Sequence, residues 1–178
     1  MNDSNNNLSE DAKYVLNLPH HLATAGMTEE ICNLLTDFEF LEHKIYTLSP
    51  RSSIDDYDLA LRPDIQIDRE TKESLKLIQS AIELATNVLT NDPRQLAGQL
   101  WGRLLSFQQP EIQAMLAQTQ QLGYAWLRPL TASLTPPQGA LVRTLTGHRD
   151  WVQTVAITPD GNGRFWFAGW HTEGLGLT

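Results

Sequence analysis

Several function classes are excluded by what this chain has little of. It has one cysteine, Cys32, so no disulfide forms within the chain, and a reducing compartment is expected. No apolar run approaches the ~18 residues of a membrane-spanning helix, so no membrane partner is expected. The first ten residues, MNDSNNNLSE, lack a basic n-region and an apolar h-region, so no signal peptide is read there and the expected location is cytoplasmic. The phosphate-cradling G-x-x-x-x-G-K-[ST] loop is missing. No fixed-period repeat is found, which excludes a consensus solenoid. Basic residues are scarce in the front half: residues 26–70 hold eleven acids and four bases, and the whole chain carries −8. Such a surface repels phosphate backbones, so no nucleic acid is expected as the main partner. The simplest reading of the acids is a solvated face, and the alternative is a docking surface for a basic partner.

What is present suits a globular protein. At 178 residues and 41% apolar, the chain can bury a core without staples, as one domain or one domain plus part of another. Residues 1–8 read as a disordered tail. A first helix is predicted from Ser9 or Asp11 to Gly26, a favoured C-cap, with Pro19 kinking it or dividing it in two. Thr28 is the expected N-cap of the next helix. Its apolar spacing continues from Ile31 to Leu48, with a break where Asp37 caps a fresh helix at Phe38. Ser49-Pro50 ends that helix, because a residue before proline avoids helical backbone. Ser52 or Ser53 is the expected cap of a short helix over Ile54–Leu61, closed by Arg62-Pro63.

A long amphipathic helix is predicted over Asp68–Thr90, where Leu75, Ile78, Ile82, Ala85 and Leu89 form one seam. Asp92 and Pro93 suit the N-cap and first position of the next helix, which carries Leu96, Leu100 and Leu104. Gly98 and Gly102, four apart on another face, suggest close approach of a neighbouring helix. A last helix starts at Gln109-Pro110-Glu111, turns Ile112, Met115, Leu116, Thr119 and Leu122 inward, and ends at Gly123. The prediction is all-α: stacked helical hairpins of about six or seven helices over residues 9–125. From Trp126 the texture changes. Residues 126–145 read as a Pro-containing linker around Pro136-Pro137. Leu141–Leu145 and Trp151–Ile157 read as strands, with a turn at Pro159-Asp160-Gly161.

Candidate chemical sites are few. His20-His21 with His43 is the nearest approach to a metal set, but adjacent histidines face different sides of a helix and no H-x-x-x-H pair exists. Cys32, beside Ile31 on an apolar face, reads as core. Asp55, Asp56 and Asp58 lack the glycine and closing glutamate of a calcium loop and read as a helix start. Ser106 and Ser133 have no G-x-S-x-G context. No catalytic, cofactor-binding or metal-ligating residue is therefore assigned, and no cofactor is expected. A metal-assisted hydrolase would need a cluster of His, Asp or Glu drawn from separate helices. Phe165-Trp166-Phe167 with Trp170 form an aromatic group whose use is left open: packing on the helical body, intermolecular contact, or aggregation.

One stretch carries a family resemblance. HHLATAGMTEEICNLLTDFEFLEHKIYTL, followed by IDDYDLAL, resembles the helical domain of bacterial apoptotic protease-activating-factor-like proteins, which are signal-transducing NB-ARC/STAND ATPases. QLAGQLWGRLLSF and QPEIQAML are similar to the later helices of that domain. LVRTLTGHRDWVQTVAITPDG is similar to the opening of a first WD repeat, with Gly147-His148, Asp150, Val155 and the turn at Pro159-Asp160-Gly161. Together these cover most of residues 14–161. In that family an ATPase core and winged helix lead into the helical domain, which leads into WD propellers. The chain departs from the pattern in two ways: the nucleotide-binding loop is absent, and the blade lacks convincing Ser/Thr, Asp and Trp partners for His148. The resemblance implies an incomplete WD blade over residues 146–178. It also implies a non-enzymatic connector and protein-interaction domain, truncated from a larger protein. The alternative is a free-standing helical adaptor that binds a protein partner or self-associates through the aromatic C-terminal tail.

Overall fold

Helices form where a capping side chain or a proline precedes apolar residues spaced three and four apart. The computed structural model describes residues 10–139 and the strand segments 154–157 and 165–168. The tail over 1–8, the Ser9 cap, the Leu141–Leu145 strand, Gly147-His148, Asp150, the turn at Pro159-Asp160-Gly161 and Trp170 lie outside the described residues. The chain divides into two units, Met1–Val142 and Arg143–Thr178.

Among the described residues the first unit is all-α, with seven α-helices: α1 (Glu10–Thr24), α2 (Thr28–Leu35), α3 (Phe38–Thr47), α4 (Pro50–Ala60), α5 (Arg69–Asn91), α6 (Leu96–Leu104) and α7 (Pro110–Gln118). One 3-10 turn, Pro93–Gln95, leads into α6, and another, Thr119–Gln121, follows α7. α5 is the spine. Its seam of Leu75, Ile78, Ala81, Ile82, Ala85 and Leu89 is wholly buried, packed along α4 on one side and α6 on the other. Each buried Leu or Ile contributes roughly 1.5–3 kcal/mol. The helices do not simply stack in chain order, since α1 also packs on α3 and α4, and α3 packs on α7.

Helix boundaries follow local chemistry. Gly26 has φ +70°, and Met27 N–H donates to Leu22 O at 3.0 Å, closing α1 with the predicted left-handed cap. Asp37 Oδ1 accepts from Phe40 N at 2.8 Å, the predicted start of α3, and Gln118 Oε1 accepts from Phe38 N at 2.7 Å. Two of that helix's orphan donors are thereby satisfied, one of them by the distant α7. Asp68 caps α5 by accepting from Thr71 N at 2.9 Å, and Asp92 Oδ1 accepts from Arg94 N at 3.1 Å.

Four expectations are corrected. α1 is one helix through Pro19, so of the two expected outcomes division is excluded; the helix packs on α2, α3 and α4. Thr28 is not a cap but the first residue of α2, because the sharp turn at Gly26 brings the chain straight into helix; Met27 precedes it with no side-chain hydrogen bond. α4 is capped by Ser49, whose Oγ accepts from Ser52 N at 3.2 Å, and not by Ser52 or Ser53. Pro50 occupies the first turn, where its missing N–H is harmless, so Ser49-Pro50 ends α3 and starts α4. Asp55, Asp56 and Asp58 therefore lie within α4 and not at its start.

In the second unit, β1 (Thr154–Ile157) pairs antiparallel with β2 (Phe165–Ala168), Thr154 opposite Ala168 and Ile157 opposite Phe165. β1 falls within the predicted Trp151–Ile157 strand.

Candidate functional site

An open groove of about 970 Å3 lies on the helical unit. One wall is α3, through Glu39, Glu42, His43 and Tyr46. The opposite wall is the turn from Asp92 to Gln95 with Gly98 of α6. Residues 124–127 also line it. Asp92 holds this turn twice over, since its Oδ2 also accepts from Gln95 Nε2 at 3.2 Å.

Residues 124–139 lie along α6 as a strap, and the sequence explains why they stay there. Gly102 presents no side chain, and a Cβ at that position would sit 2.8 Å from the Leu134 side chain. Leu134 N donates to Gly102 O at 3.0 Å. Arg103 is buried and donates to Thr135 O at 2.8 Å, Leu84 O at 3.3 Å and Gln99 Oε1 at 3.1 Å. It thereby joins the strap to α5. Burial lowers its affinity for the proton, as expected for a desolvated cation. The small residues on this face of α6 do permit a close approach, but by the strap and not by a helix as predicted.

Aromatic side chains anchor the strap at the groove. The Trp126 ring packs on Trp101 with centroids 6.3 Å apart, and the Arg128 guanidinium lies over Trp101 at 5.2 Å. Trp101 Nε1 donates to Thr119 Oγ1 at 2.7 Å, so the inward Thr119 predicted from sequence serves as the acceptor. The Tyr124 hydroxyl donates to Glu42, and its proton is held more tightly than usual by burial first and by Glu42 second. None of these roles was assigned from sequence. In the sequence Trp126 marks only a change of texture, and Trp101 stands out only as part of QLAGQLWGRLLSF.

The candidate chemical residues are not brought together. His20 and His21 are exposed neighbours with ring centroids 6.2 Å apart, while His43 lies on α3 at the groove. Among the described residues, no group of three His, Cys, Asp or Glu side chains is placed to hold a metal ion. Cys32 is buried, as predicted; desolvation, helped by Asp68, pushes its thiol up to about 11, far from a nucleophile's range. Asp55 pairs with Arg51 at 3.0 Å, and Asp58 accepts from Gln79 Nε2 at 2.6 Å. Ser106 and Ser133 are exposed.

Asp56 departs most from its surface reading. It is buried and forms an ion pair with Lys44, itself buried on α3, and the Lys44 ammonium also lies 5.8 Å from the Phe40 ring centroid. Burial raises the Asp56 carboxyl to about 6 despite the lysine, which pulls the other way. Nearby, the fully buried Tyr57 donates its hydroxyl to Leu35 O at 2.6 Å. These contacts lock α3, α4 and α2 together. They are structural.

No helix among the described residues is long and apolar enough to cross a membrane. No curated protein and no solved structure matches the chain. Residues 1–122 match the APAF-1 helical domain, a family that is a non-catalytic part of STAND ATPases. That span is more than half of the sequence, and the chain belongs to the APAF-1 helical domain family.

Proposed function

We propose that this chain is a non-enzymatic helical connector and protein-interaction domain, working between an ATPase switch and a WD-repeat propeller. The observation that carries the reading is the family match over residues 1–122, in a sequence that contains no phosphate-cradling loop. The antiparallel pairing of β1 with β2, close behind Gly147-His148, supports reading residues 146–178 as the start of a WD blade. The connector's work is mechanical. The α5 spine and the ion pair between α3 and α4 fix the helices relative to one another, and the groove and helix faces are offered to a protein partner.

Calorimetric titration of the full chain with Mg·ATP and with ADP tests the reading. No saturable heat is expected, and binding at micromolar affinity would overturn it. The second reading, a self-associating adaptor, draws on the aromatic content of Phe165-Trp166-Phe167 and Trp170. Size exclusion of the chain with and without residues 162–178 separates the two. A dimer that becomes monomeric on truncation favours the adaptor, and a monomer in both forms favours the connector.

A further inference from the structure

We propose that the groove between α3 and the turn at Asp92–Gln95 is a docking site for a basic, partly apolar peptide segment of a partner protein. This rests on the protein-interaction reading above and adds the chemistry of the occupant. Size and form come first. At about 970 Å3 and open along its length, the groove suits an extended peptide better than an engulfed small molecule.

Charge then selects the sign. Three carboxylates, Glu39, Glu42 and Asp92, line the groove against one guanidinium, Arg94. Asp92 has both oxygens engaged in holding its own turn, and Glu42 accepts from Tyr124, so Glu39, exposed on the rim, is the carboxylate best placed to meet an incoming cation. Residues 26–70, which include α3, hold eleven of the chain's acids, and their field draws in basic partners and repels both phosphate backbones and a second copy of this chain.

The apolar features supply the remaining contacts. Tyr46 stands 65% exposed on the α3 wall, an open aromatic face for a lysine or arginine to lie against. Leu127, also on the lining, is 92% exposed and offers an apolar seat. Trp126, which also lines the groove, is held in place by Trp101. A pre-formed aromatic face among carboxylates is the combination that concentrates binding energy in a few residues.

Fluorescence anisotropy of a labelled peptide alternating lysine and leucine, added to the full chain, tests the proposal. Saturable binding is expected, with little for a twin carrying serine in place of lysine. Glu39→Lys should weaken binding about fivefold and Tyr46→Ala about tenfold. Glu29→Lys, on α2, makes the same change in net charge away from the groove and should weaken it less than about twofold. The exposure of Glu39, Glu29 and Tyr46 means that these variants fold, which circular dichroism checks. The proposal is overturned by an absence of saturable binding, by equal losses for Glu29→Lys and Glu39→Lys, or by equal binding of the serine twin. Any of these outcomes leaves the connector reading standing, because that reading is tested by nucleotide titration and size exclusion and not by this peptide.

Discussion

Gly98 and Gly102 sit one turn apart on α6, yet a methyl group meets different surroundings at each. At Gly98 the nearest atom to an added Cβ is Leu127 O at 3.7 Å, an ordinary contact, whereas at Gly102 it is the Leu134 side chain at 2.8 Å. Gly98→Ala should therefore gain up to about 1 kcal/mol from helix propensity. Gly102→Ala should displace the strap, seen as faster proteolysis within residues 124–139. The reverse ranking in urea unfolding would contradict this assignment. At Cys32, burial and the raised thiol predict almost no reaction with a thiol reagent at pH 8 in the folded chain and full reaction in denaturant. Rapid labelling of the native protein would place the residue elsewhere. Residue roles of this kind were half legible in sequence: the apolar flank of Cys32 pointed to the core, and the glycine pair pointed to close approach. Neither glycine could reveal its visitor, because a contact with Leu134 depends on how the chain returns over α6.

At the scale of elements, caps and pairings carry the testable content. Ser49→Ala should cost about 1 kcal/mol, because it removes the acceptor for Ser52 N at the start of α4. Ser53→Ala should cost nothing or stabilise, since the Ser53 hydroxyl is buried without a hydrogen bond among the described residues. Urea unfolding of the two variants checks the order. The Lys44–Asp56 pair between α3 and α4 gives a stronger test. Asp56→Ala should destabilise by about 3 kcal/mol, and Lys44→Met combined with Asp56→Leu should recover most of the loss. The pair also fixes a pH dependence. The folded carboxyl lies near 6 against an unfolded value of 3.8, so folding binds its proton more tightly. Its contribution to stability is fully present below 3.8 and is lost as pH rises through about 6. The stability difference between the wild type and Asp56→Asn should thus shift in favour of the wild type on going from pH 7 to pH 5. An unchanged difference would place the carboxyl in water. Helix order was readable from caps, prolines and apolar spacing. The ion pair was not, because one-dimensional spacing carries no sign that a lysine on one helix and an aspartate on the next turn inward together.

For the molecule as a whole, caps and apolar spacing led to an all-α expectation of about six or seven helices, and the quoted motifs led to the family resemblance, while the groove stayed hidden. Its walls come from residues near 40, 92 and 125, and only folding brings them together. Its aromatic members broke no local rule strongly enough to be singled out. What the described residues assemble is a buried ion pair, a strapped helix and an acidic aromatic groove. Under the proposed function the chain binds proteins and works on no small molecule, and ligand-linked thermal unfolding of the full chain tests this. A ligand at 100 times its Kd adds about 2.7 kcal/mol to the folded state, roughly 5–10 °C for a chain of this size. With Mg·ATP, Mg·GTP, ADP or zinc ion present, the predicted result is an unchanged Tm, and a reproducible rise of several degrees with any one of them would contradict the account.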